Sequence, residues 1–88
     1  MHLGDKKIMI RDTVMEMIER HRIKAELFLK ENTKAFIVDT MDNYHFCYIL
    51  ETDEDRVKVF EFTGKLKGQE NILNWVDVLR FDLFREDL

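Results

Sequence analysis

The 88-residue chain has no proline, three glycines and one cysteine. Without proline, and with so little glycine, Pro-rich linkers and collagen-like repeats are excluded. A lone cysteine cannot close an intrachain disulfide, so the chain is not a disulfide-stapled secreted domain; it suits a reducing, cytoplasmic setting. No apolar run approaches the roughly 20 residues that a membrane-spanning helix needs, and no signal-peptide pattern opens the chain, so no membrane partner is expected. Positive charge is the scarcer sign. Fourteen Lys and Arg face eighteen Asp and Glu, a net charge of −4, which weakens non-specific attraction to nucleic acid without forbidding it.

What remains is a globular balance, 45% hydrophobic and 36% charged. The length suits a single domain over residues 1–88. A domain of this size buries only about 60–65% of the surface its unfolded chain exposes, and self-association is a common way to bury more.

Periodicity gives a coarse element order. Residues 1–10 read as a polar lead-in. Asp12 or Thr13 can cap a helix over 12–21, with Thr13-Val14-Met15-Glu16 as a capping box and Val14, Met17, Ile18 and His21 at helical spacing. From Ile23 the apolar residues alternate (Ile23, Ala25, Leu27, Leu29), the period of a strand with one buried face. One long helix from Asp5 to Lys30 is the alternative. Glu31-Asn32-Thr33 can turn the chain, and β-rich runs follow at Lys34–Thr40, Tyr44–Thr52 and Val57–Thr63. Gly64 and Gly68 bracket a basic turn. Residues 71–88 fit helix or strand, with strand favoured over 75–84 by Trp, Val and Phe, broken by a bulge. The expected fold is mostly β, an N-terminal helix followed by five strongly bent antiparallel strands that fill residues 22–84 as a small SH3-like barrel.

That order resembles the Sm-like family, and within it the bacterial Hfq branch. The resemblance rests on the helix opened by Asp12, its charged exit Glu19-Arg20-His21-Arg22, the alternating run from Ile23 to Leu29, a turn followed by Lys34, the motif Met41-Asp42-Asn43-Tyr44, and the final run Val76-Asp77-Val78-Leu79-Arg80-Phe81. It implies a non-enzymatic module that pairs its fourth strand with a neighbour's fifth, closes as a hexamer- or heptamer-like ring and binds single-stranded RNA. Asn43 would hydrogen-bond a base and Tyr44 stack on it, while Lys34, Arg20 and Arg22 would contact phosphates.

Other constellations carry less. Arg20-His21-Arg22-x-Lys24 reads as a phosphate rim or as a solvated helix end. Tyr44, Phe46 and Tyr48 share one strand face, as a stacking platform or, preferred here, as half the core. His45 and Cys47 share the other face, too few ligands for zinc and with no oxyanion hole to make Cys47 a nucleophile. The acidic stretch Glu51–Asp55 lacks the pattern of a calcium loop and reads as a hairpin tip. Trp75 is expected as a core anchor. No cofactor, metal or catalytic residue is expected. The net charge, and the absence of the Tyr-Lys-His signature that Hfq-like chains carry before the last strand, leave a second reading open: a small barrel that binds protein and no nucleic acid.

Overall fold

The structure, a computed structural model, describes residues 3–85, with side chains from Thr13 onward. One helix, α1 (Leu3–Glu31), occupies the front third of the chain. This corrects three expectations: the lead-in over 1–10 is helical from residue 3, the helix does not stop at 21, and the alternating run from Ile23 to Leu29 is helix. The physical reason lies in residues 22–31. Arg, Lys, Ala, Glu and Leu dominate there, no Gly or Pro interrupts, and extending a nucleated helix costs less than starting a strand. Burial confirms the helical period. Ala25 and Phe28 are buried and Ile18 packs against the core, whereas Ile23, Leu27 and Leu29 are exposed. The apparent alternation came from apolar residues on two sides of one helix.

The helix ends where the turn is expected. Asn32 takes φ 53°, a left-handed conformation that Asn tolerates better than most residues. Thr33 N donates to Phe28 O at 2.9 Å and Asn32 N to Leu29 O at 3.4 Å, the paired bonds of a Schellman stop.

Five strands follow: β1 (Lys34–Asp39), β2 (Tyr44–Thr52), β3 (Arg56–Thr63), β4 (Glu70–Asn74) and β5 (Val78–Leu83). All pair antiparallel in the order β4-β3-β2-β1-β5. The first four form a meander and β5 returns to β1, so β4 and β5 are the two edges and the sheet is not closed by hydrogen bonds. The strand expected over 75–84 starts later, as β5 at Val78, because Trp75–Asp77 form one 3-10 turn; before that turn lies β4, a strand not expected from the sequence. Trp75 causes the break by turning into the core. Its backbone N donates to Asp55 O at 2.9 Å and its Nε1 to Asp53 O at 2.9 Å, which ties this turn to the acidic β2–β3 hairpin tip. Asp53 caps that tip, accepting at Oδ1 from Asp55 N at 2.8 Å and Arg56 N at 2.9 Å.

The sheet buries one face under α1. Ala35, Ile37, Cys47, Ile49, Val57 and Val59 line it, with Trp75, Val78 and Phe81 closing the side. Phe81 is the centre of a ring cluster, with Phe28 at 5.4 Å, Trp75 at 5.9 Å and His21 at 6.2 Å between centroids. The expected core role of Trp75 therefore holds, while the preferred core role of Tyr44, Phe46 and Tyr48 does not: they occupy the opposite face. The inward face of β2 is the one that carries His45 and Cys47. No helix among the described residues is long and apolar enough to cross a membrane.

Candidate functional site

The buried face holds an unusual polar cluster. Strict alternation along β1, β2 and β3 points Asp39, His45 and Glu61 inward beside the aliphatic core. His45 bridges the two acids, with Nδ1 2.7 Å from Glu61 Oε2 and Nε2 2.9 Å from Asp39 Oδ2. Asn71 Nδ2 donates to Glu61 Oε2 at 3.1 Å and Asn43 Nδ2 to Asp39 Oδ2 at 3.2 Å. Asp39 also organises the β1–β2 turn: its Oδ1 accepts from Met41 N at 2.9 Å and Asn43 N at 3.0 Å.

The electrostatics follow from these contacts. The hydrogen bond to Glu61 raises the His45 pKa; burial opposes this, and the bond to Asp39 reinforces it. Burial disfavours charge on Asp39, but the bonds from His45, Asn43 and Met41 outweigh it and hold the carboxyl below its ordinary range. Both imidazole nitrogens face acids, so a protonated His45 donates to both and neither ring nitrogen is left unpartnered, while Glu61 Oε1 is buried with no hydrogen-bond partner. Cys47 lies beside it, its thiol pushed up by burial and by Glu61, which suppresses the thiolate that nucleophilic chemistry needs. No group of three or more His, Cys, Asp or Glu among the described residues is arranged to hold a metal ion. The cluster is a buried network that ties β1, β2, β3 and β4 together through side-chain hydrogen bonds.

The other face of the same strands is aromatic. Six rings form a continuous row: Tyr44, Phe36, Phe46, Phe84, Phe62 and Tyr48, with successive centroids 5.8, 5.4, 5.8, 5.1 and 5.5 Å apart. Phe84 joins from beyond β5, where its backbone N donates to Lys34 O at 3.1 Å. The rings are half-buried against one another, except Tyr44, which is 54% exposed. Two cations border the row. Lys34 Nζ lies 5.0 Å from the Phe62 centroid and Arg80 Cζ 5.6 Å from that of Phe36, both within cation–π range. Gly64 permits the close packing beneath. It sits at φ +86°, and a Cβ there would come within 3.0 Å of Phe46 Cδ2.

The five residues expected from the sequence fall in three places. Tyr44 and Lys34 stand at opposite ends of the aromatic row. Asn43 adjoins Tyr44 at a pocket of about 350 Å³ that Lys65 and Leu66 also line. Its side-chain NH2 is engaged by Asp39. Arg20 and Arg22 lie apart on α1; Arg20 lines a helix groove, and Arg22 pairs with Glu19 at 3.9 Å. Phe36, Phe62 and Phe84 as neighbours of Tyr44 in one row, and Asp39 and Glu61 as partners of His45, are not among the residues expected from the sequence. A signal for both existed. Asp39 and Glu61 keep the two-residue period of Ile37 and Val59, which sends them inward and the Phe residues outward. Comparison with known proteins gave no matching family model, no similar curated protein and no matching solved structure.

Proposed function

We propose that this chain is a non-enzymatic module that binds single-stranded RNA and assembles edge to edge into a ring of the Sm-like kind. The observation that carries this is the row of six rings bordered by Lys34 and Arg80 on an open sheet face. Aromatic side chains on a sheet offer bases a stacking surface, and flanking cations take phosphates. Tyr44 is the entry point, the most exposed ring, with Asn43 beside it to hydrogen-bond a base edge. Arg20 and Arg22, two residues apart on α1 and so on different sides of it, form no rim with each other or with the row. Assembly is supported by the topology. The free edges are β4 and β5, and they carry the exposed apolar residues Ile72, Leu79 and Leu83; the fourth strand expected from the sequence, Val57–Thr63, is the interior β3, so β4 takes its place at the edge.

The test is a titration with short oligo-U and oligo-A at two salt concentrations, alongside native mass. The reading expects binding that weakens as salt rises, by a slope of about 0.7 per phosphate contact, and a mass several times that of one chain. A salt-independent blank with both oligonucleotides overturns RNA binding. The net charge of −4 favours the second reading in that event, a protein-binding barrel that uses the same aromatic face.

A further inference from the structure

We infer that α1 carries a second interface, separate from the sheet edges, through which two copies of this chain pair helix to helix in antiparallel orientation. The helix uses Ile18, His21, Ala25 and Phe28 to face the core. Ile23 and Leu27 lie on the far side, one turn apart, and are 55% and 51% exposed. They flank a groove of about 650 Å³ with Met17, Arg20 and Lys24. A helix that needed only this sheet would carry charge there. Two large aliphatic residues at i and i+4 supply half of a helix–helix seam.

The charge pattern selects the occupant. On this side of α1, Glu16 precedes Arg20 by one turn. A second copy laid parallel would set Glu16 on Glu16 and Arg20 on Arg20. Reversing the copy sets each Glu16 against the other's Arg20, twice, about a two-fold axis near residue 18, with Ile23 and Leu27 on the same side of α1 facing the other helix. An isologous contact of this kind is self-complementary and closed. It also adds the buried area that an 88-residue chain is short of.

Sedimentation equilibrium on the full chain tests this. The double variant Ile23→Asp with Leu27→Asp is expected to halve the native mass, because burying aspartate in place of two aliphatic side chains weakens the contact by about a hundredfold or more. Either state of the sheet edges gives that factor, since a dimer becomes a monomer and a pair of rings becomes a single ring. The exposed variants Glu16→Lys and Arg20→Glu, which leave the core untouched, are each expected to halve the mass alone and to recover it when mixed in equal amounts. An unchanged mass for the double variant overturns the interface. A halved mass that the mixture of charge variants fails to restore overturns the antiparallel second copy as its occupant.

Discussion

The two faces of the sheet are written by alternate residues of the same three strands, and they solve opposite problems. The inner face excludes water, so polar groups placed there are held by protein partners: His45 bridges Asp39 and Glu61, and Asn43 and Asn71 donate to the two acids from the margin, leaving only Glu61 Oε1 of this cluster without a partner. The outer face keeps contact with water, so its rings can pack side by side and still present an edge or a face to a ligand. Strand β2 contributes to both, sending His45, Cys47 and Ile49 inward and Tyr44, Phe46 and Tyr48 outward. The face with ionisable groups is thus the buried one, and the face that reads as core from its composition is the one left in contact with water.

The sharpest break of that comparison is His45→Ala. It strands two inward acids without their shared donor, and losing one partner of a buried ionic network costs about 3–5 kcal/mol. Urea unfolding should show this loss while any fraction still folded keeps its RNA affinity. On the other face, Tyr48→Ala should do the reverse. Each stacked base is worth about 1–3 kcal/mol, so oligonucleotide affinity should fall by about tenfold or more in a titration, with a smaller change in the unfolding midpoint.

The inner face should also set a pH window. His45 titrates above its usual value of 6.5, so its contribution is complete below 6.5 and is lost as pH rises through the folded-state value. Asp39 titrates below its usual value of 3.8, so its contribution is complete above 3.8 and is lost as pH falls through the folded-state value. The cluster's support is therefore greatest between these two limits, and thermal unfolding across pH should fall away on both sides. In His45→Gln the alkaline limb should flatten. The smallest effect belongs to the surface. Lys58 and Glu70 pair at 3.3 Å across β3 and β4 in partial exposure, and Glu70→Gln should cost under about 1 kcal/mol by the same unfolding measurement.

Much of the sheet was legible in advance. The run Tyr44–Thr52 became β2 with the same bounds, and Lys34–Thr40 and Val57–Thr63 became β1 and β3 within a residue. These runs are β-branched and aromatic, they are bounded by Asn, Asp and Gly turns, and their neighbours in space are their neighbours in sequence. The front of the chain misled because Ile23, Ala25, Leu27 and Leu29 satisfy a period of two while lying on two sides of a helix. The back misled because a continuous β-rich run conceals the 3-10 turn that Trp75 makes to reach the core. Of the expected site, Tyr44 and Lys34 fell on one face because they belong to paired strands, whereas Arg20 and Arg22 followed the helix elsewhere.

The sequence by itself determined where β1, β2 and β3 run and which residues alternate on them, since both follow from local backbone preference and the two-residue pleat. Which of the two alternating sets becomes the interior is a property of the whole molecule. It depended on where α1, Trp75 and Phe81 came to rest, because only the face they cover loses its water. That choice made His45 a buried bridge between two acids and left a row of rings where half a core was expected.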